Sequence, residues 1–392
     1  MENIFPSVFN FQPLNLIFFF LLLLASLSAQ EVRRAIPVRP VYAGYNEDAL
    51  FLAGKELPTT SSLALLQLSS NYQVHSLALQ KVWTEYEMRY FIPMREWSLQ
   101  ELPQRIPLPS TICYLFSGPD ILNPLALFSD AASTYLLCGK EPIGFITPPE
   151  QLSPEQLQQG LSTIREATQT ALQFGYFITK EMRSQTTTGP FQGVLPLLLT
   201  LLSLTENRIL SVEELSLGGT PGVRIRFISP SSTEKTLYYA QHDLSNGNGR
   251  TFFRWLQHFM PAISYLKAAS YLLHEENFSQ TRNFLLQNSH AILQDDSGIP
   301  FRCFDNPNWT IYLFGDYKGP IELFRPKYQA DLAAAYQTSL LAAPMNFGTG
   351  YQFEPGVAGG ANLQLAVRKY FAPRALPVEV TTKSKRQQKK KK

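Results

Sequence analysis

Cysteine is scarce in this 392-residue chain: only Cys113, Cys138 and Cys303 occur, too few for a disulfide scaffold. No C-x-x-C pair and no Cys/His cluster at zinc spacing is present, which excludes the common structural zinc modules. Charge is thin as well. Asp, Glu, Lys and Arg make up 17% of the chain against a usual share of about 25%, so Gln, Ser, Thr and Asn must carry much of the surface. There is no G-x-S-x-G elbow for a hydrolase serine. The glycines of Asn346 to Tyr351 (NFGTGY) and Gly359-Gly360 lack the third glycine, helix and distant acid of a dinucleotide site, so they read as tight turns. No cofactor is implied. The five histidines are scattered, and the thirteen residues before Leu14 contain no Lys or Arg.

What is present begins with an apolar run, Leu14 to Leu27, closed by Ser28 and Ala29. It is short for a bilayer span, which takes about 20 apolar residues, and it matches the apolar core of a secretory signal with cleavage near Ala29. Residues 1–29 are therefore expected to be a signal peptide, and the protein to be exported to the periplasm or beyond. The missing N-terminal charge and the trailing Arg33-Arg34 keep an alternative open, a membrane anchor through an uncleaved N-terminal segment. At the other end, the last ten residues carry seven positive charges. Taking seven from the formal charge of +3 leaves a body at −4. Residues 376–392 are expected to be a disordered basic tail. It reads either as a solvated tail or as a contact for an anionic envelope polymer. No specific nucleic-acid motif accompanies it, and no further span follows the signal.

Between these ends the pattern predicts interleaved helices and strands without a regular βαβ cadence. The fold class expected is α+β, a mixed, mainly antiparallel sheet with packed helices. The polar stretch Ser184 to Pro190 divides it into an N-terminal region, 30–185, and a C-terminal one, 190–375. Residues 31–60 read as loop, 61–102 as helical and broken at Pro93. Thr111 to Leu115 and Thr134 to Cys138 read as strands, each closed by a glycine turn. A helix is expected from Ser153, with Pro154 at its first position and Gln156 completing a capping box. Val223 to Phe227 and Lys235 to Ala240 read as a hairpin. Residues 250–260, 263–274 and 278–287 read as helices. Trp309 to Phe314 and Leu363 to Arg368 read as strands, with a helix over 328–342 between them.

Three places hold candidate chemistry. The SGPD turn puts Ser117 and Asp120 after a strand, where catalytic groups and helix caps both sit. The stretch LQDDSGIPFR, with Asp295 and Asp296 and then Asp305-Asn306, offers paired carboxylates for acid–base work or oxygen ligands for Ca²⁺. Ordinary turn chemistry is the competing reading, and the identity of any metal is left unknown. His242-Asp243 is the remaining one, though strand neighbours face opposite ways. Asp120, Asp295 and Asp296 are the candidate catalytic residues, with His242 and Arg302 as companions. Cys113 and Cys138 are either buried free thiols or a disulfide between neighbouring strands. Asn277 and Asn308 begin N-x-S/T sequons, which matter only in a eukaryotic secretory path.

The segments Tyr114 to Gly144 and Ile292 to Ile321 resemble an uncharacterised group of bacterial exported proteins. The resemblance covers about 60 residues and implies a bacterial, exported protein without assigning an activity or site. The function expected is therefore binding or a structural role in the envelope or outside the cell. The alternative is an exported hydrolase that acts on an envelope polymer or nutrient through its Asp carboxylates.

Overall fold

The computed structural model describes residues 44–107, 110–128, 131–174, 189–304, 307–338, 342–352 and 361–370. The signal segment with its cleavage point, the basic tail and Asp305-Asn306 lie outside the described residues. The chain enters through helix α1 (Tyr45–Leu52), placed where the sequence reads as loop. Helix α2 (Ser70–Tyr86) follows, with the Ser69 hydroxyl accepting from the Tyr72 N–H at its start. One π-turn, Glu87–Phe91, joins it to α3 (Ile92–Glu101). Pro93 is thus no break: it stands in the first turn of α3, where a missing N–H costs little.

Strand β1 (Thr111–Leu115), helix α4 (Leu122–Phe128) and strand β2 (Thr134–Gly139) come next. The short strands β3 (Phe145–Ile146) and β4 (Phe191–Gln192) pair with each other. Between them runs α5 (Pro154–Phe174). Its N-terminus is the capping box read from sequence: Ser153 Oγ accepts from the Gln156 N–H at 3.3 Å, and Gln156 Oε1 from the Ser153 N–H at 3.0 Å. Helix α6 (Leu195–Leu204) is buried on every side, as its near-continuous leucines require.

The chain then forms the antiparallel run β5 (Arg208–Leu217), β6 (Thr220–Ile228) and β7 (Glu234–Gln241). Helix α7 (Arg250–Leu256) leads to β8 (Ala262–Leu266), α8 (Ser279–Asn288) and β9 (Ser289–Gln294). Finally β10 (Trp309–Gly315), α9 (Ala330–Thr338) and β11 (Asn362–Arg368) close the fold. The helix expected over 263–274 is corrected to strand β8. Strands buried on both faces lose the alternation that marks a half-exposed one, and β8 is buried at all its positions.

Nine strands form one sheet in the order β10-β11-β9-β8-β1-β2-β7-β6-β5. Antiparallel pairs occupy both flanks, while β9, β8, β1, β2 and β7 run parallel through the centre. The class is α+β, with a mixed sheet and packed helices. Strands from both sides of the 184–190 stretch share this sheet. Residues from α1 to α6 pack on the face of Tyr114, Tyr265 and Leu293. Those of α7 and α8 pack on the face of Cys113, Leu115 and Ile292. Among the described residues no helix is long and apolar enough to cross a membrane.

Cys113 and Cys138 lie on the neighbouring strands β1 and β2, and both are buried free thiols. Register explains why they are not bridged. Cys113 stands opposite Leu136, and Cys138 opposite Leu115. Two residues of offset put their Cα atoms about 8 Å apart, beyond the roughly 7 Å that a disulfide spans.

The sheet order fixes where side chains converge. From β1 the chain moves to β2 on one side, and from β8 to β9 on the other. Between the carboxyl ends of β1 and β8 the winding therefore reverses, and crevices at such a switch point are where open parallel sheets bind ligands.

Candidate functional site

Four of the parallel strands deliver charged residues to this edge. The turn after β1 carries Asp120, that after β2 carries Glu141, β8 is followed by Lys267, and β9 by Asp295 and Asp296. All five are at least 95% buried, far from the usual fate of such side chains.

Asp120 and Lys267 form an ion pair, Oδ2 to Nζ 2.7 Å. The same carboxylate accepts from the Tyr114 hydroxyl at 3.1 Å and from Asn123 Nδ2 at 3.0 Å. Its capping role and its ionic role coexist, since Asp120 Oδ1 also accepts from the Asn123 N–H in the first turn of α4 at 3.5 Å. Ser117 has a structural task instead. Its hydroxyl accepts from the Cys138 N–H at 3.1 Å, and it lies 3.2 Å from the Cys138 carbonyl, stitching the end of β1 to β2.

Asp295 and Asp296 point apart, as adjacent residues must. Asp295 Oδ2 accepts from the Ala268 N–H at 2.9 Å, and Oδ1 from the Ser297 N–H at 2.9 Å and the Ser297 hydroxyl at 2.5 Å. Asp296 turns toward β11, accepting from the Tyr271 hydroxyl and from Asn362 Nδ2 at 3.0 Å. Its carbonyl takes a hydrogen bond from Gln329 Nε2 at 2.9 Å. Burial, reinforced by the charge of Asp296, pushes Asp295 up to about 6. Burial raises Asp296 too, against the two hydrogen bonds that stabilise its anion. Asp295 is therefore a carboxyl able to hold a proton near neutral pH.

Asp120 and Asp295 are both held by the segment that follows β8. Strands β1 and β9 flank β8, which sets them about 10 Å apart. Between them Lys267 holds Asp120, while the next residue, Ala268, holds Asp295. Both carboxylates also raise the Tyr265 hydroxyl, after burial itself. Tyr265 is wholly buried with its ring 4.8 Å from that of Tyr114, and among the described residues its hydroxyl has no hydrogen-bond partner.

The backbone around these groups is unusual. Phe116, Ala268, Ser270 and Tyr271 have φ of 71°, 50°, 52° and 54°, and a left-handed non-glycine residue costs about 1–2 kcal/mol. Such strain collects at functional sites. The loop after β8 is pinned by Asp295, by Ser297 Oγ on the Ala269 N–H at 2.8 Å, and by Tyr351, whose hydroxyl donates to the Ala268 carbonyl at 3.0 Å. The π-turn between α2 and α3 bears on the same place. Tyr86, at the end of α2, is raised first by burial and then by Asp120, and single π-turns in long helices recur at functional sites.

The glycine-rich segment NFGTGY does more than turn. Gly350 lies directly on Asp295: a Cβ there would stand 1.9 Å from Oδ2, at a φ of +55°. Phe347 packs edge-on against Trp97, centroids 5.6 Å apart. The segment therefore covers the Asp295 carboxylate.

His242 and Arg302 stay outside. His242 packs on Phe252, ring centroids 4.5 Å apart and tilted by 39°, and is lowered chiefly by burial, while Asp243 pairs with Lys140 at 3.0 Å. Arg302 lies near His274, whose imidazole is lowered to about 4 by burial first and by the charges of Lys327 and Arg302 next. Of the oxygen ligands considered for Ca²⁺, Asp305 and Asn306 are outside the described residues. Among the described residues no three His, Cys, Asp or Glu side chains are grouped to hold a metal.

Lys267, Tyr265, Tyr86 and Glu141 were not singled out in the sequence. Lys267 and Tyr265 escape notice because β8 reads as a helix there. A lone lysine ending the apolar run AISYL was the available signal. Glu141 lies against the glycine that precedes Lys140: a Cβ on Gly139 would stand 2.3 Å from Glu141 Oε2. Comparison with family models, curated proteins and solved structures finds no match for this chain.

Proposed function

We propose that this protein is an exported hydrolase whose acid–base centre is the switch-point cluster of Asp120, Lys267 and Asp295. The observation that carries the reading is the convergence of these three residues, from three separate turns, on one buried edge of the parallel strands. Asp295 is the proton carrier. It delivers a proton to the departing oxygen while water adds its hydroxyl to the other side of the broken bond, and the second proton of that water restores the acid. Lys267, held by Asp120, places a fixed positive charge where negative charge develops on oxygen. Asp296, bound by Tyr271 and Asn362, raises Asp295 electrostatically.

Export rests on the apolar run Leu14 to Leu27 with its small-residue end, and on the resemblance to bacterial exported proteins. N-terminal sequencing of the protein from fractionated cells tests it. A start near Gln30 outside the cytoplasm supports export; an intact Met1 in the membrane fraction supports the anchored alternative.

A binding role without turnover is the second reading, favoured by the full hydrogen bonding of Asp296 and the deep burial of the cluster. The two separate on Asp295→Asn. Hydrolysis of a polymer or nutrient should fall by about 100-fold or more, whereas a binding protein has no turnover to lose and keeps its affinity.

A further inference from the structure

Exposed apolar side chains gather in one short part of the chain. Of the eleven large ones exposed among the described residues, seven lie from Leu65 to Leu99. Leu65 and Leu68 stand in the turns before α2, and the other five project from the rod formed by α2, the π-turn and α3. The rod carries two rows of side chains. One, from Tyr72 through Leu79, Trp83 and Tyr90 to Trp97, is buried against the fold. The other stands two residues further on at each step, about 200° round the helix. It faces solvent with Val74, Leu77, Lys81, Glu85, Met88 and Ile92, and continues to Leu99. A surface helix normally presents polar residues on the side away from the core, so an outer row this apolar calls for a partner.

The order of the outer row says which partner. From Val74 to Ile92 it runs apolar, apolar, Lys, Glu, apolar, apolar, with its midpoint at Trp83. A two-fold axis through that midpoint, perpendicular to the rod, lays the row antiparallel on the same row of a second copy. Val74 then meets Ile92, Leu77 meets Met88, and Lys81 of each copy meets Glu85 of the other. Apolar groups cover apolar groups, and symmetry makes the central ion pair twice. The five side chains on the rod offer on the order of 500 Å² in each copy, so pairing them buries on the order of 1,000 Å², the size at which specific interfaces begin.

A lipid surface suits the same row less well. Lys81 and Glu85 interrupt it at the centre, where insertion would strip both of water. The exposed cations of the rod, Lys81, Arg89 and Arg95, are set against Glu85, Glu96 and the half-buried Glu87, which leaves no cationic excess to draw it to an anionic bilayer. From the apolar outer row and its self-complementary charges, we infer that the outer face of α2 and α3 is the interface of a homodimer, paired antiparallel about a two-fold axis at Trp83. This interface is independent of the hydrolase reading above.

The test is sedimentation equilibrium of the full-length protein over about 1–100 μM, where a dimer is expected. Leu77→Glu should give a monomer, with an unchanged circular dichroism spectrum because the side chain it replaces is exposed. Lys81→Glu and Glu85→Lys each set like charges against one another across the axis, and each should weaken dimerisation by about tenfold or more. Combining the two restores opposite charges and should recover the dimer. A wild-type monomer throughout the range overturns the inference, as does a dimer indifferent to Leu77→Glu, which would associate through another surface. Charge variants without effect, or single losses that the double variant fails to recover, overturn the antiparallel pairing. Flotation of a monomeric wild type with phosphatidylcholine vesicles, lost in Leu77→Glu, overturns the homodimer in favour of a lipid surface.

Discussion

At the residue scale, the ion pair of Asp120 and Lys267 has the largest consequences for a single substitution. Each partner is almost wholly buried, so removing one leaves the other charged without its counter-ion. Lys267→Met is expected to destabilise the fold by about 3–5 kcal/mol, and the double variant Asp120→Asn with Lys267→Met by much less. Urea unfolding of the three proteins checks this, and equal losses in single and double variants would speak against a desolvated pair. Gly350 is the complementary case of a residue defined by what it lacks. A methyl group at this position overlaps the Asp295 carboxylate, so the glycine is required by the close approach as well as by its positive φ.

At the scale of elements, local signals were readable where each side chain faces one environment. The capping box of α5 was legible because Ser153, Pro154 and Gln156 act within one turn. Ser153→Ala should cost about 1 kcal/mol, measured as a lowered urea midpoint with an unchanged slope. The hairpin of β6 and β7 was legible from alternating Val223, Arg224, Ile225, Arg226 and Phe227. By contrast, β8 sits in the middle of the sheet, buried on both faces, where alternation vanishes and helix and strand look alike. Misreading that one element hid Lys267 and Tyr265. The carboxylates of Asp120 and Asp295-Asp296 were found from turn chemistry alone. That β1 stands beside β8, with β9 on its other side, depends on a β1–β8 pairing between residues some 150 positions apart in sequence, which a local pattern does not encode. The same holds for Gly350, whose meaning comes from a carboxylate distant in the chain.

Across the whole molecule, buried ionisable groups oppose one another in their effect on stability. Asp295 is raised on folding, so its contribution is present below about pH 4 and is lost as pH rises through about 6. His75 goes the other way. Wholly buried on the Leu52 carbonyl, it is lowered to about 4 chiefly by burial. Its contribution is present above its ordinary value near 6.5 and is lost as pH falls toward 4. His274 adds in the same direction as His75. Each of Asp295 and His75 is worth on the order of 3 kcal/mol across that window. Asp295 therefore blunts the acid loss of stability. Asp295→Asn should steepen it, widening the gap between urea midpoints at pH 4.5 and pH 7; a gap that narrows or stays fixed would contradict the assignment.

The switch point joins these scales, because sheet order brings together residues that share nothing in sequence, and burial there sets the proton affinity of Asp295. The most direct test is the carboxyl titration of Asp295 itself, followed by ¹³C NMR in aspartate-labelled protein and assigned by loss of the signal in Asp295→Asn. A midpoint near 6 is expected, well above the ordinary 3.8. A midpoint at or below 4 would mean that Asp295 carries no proton near neutral pH, and the acid–base centre would fall with it.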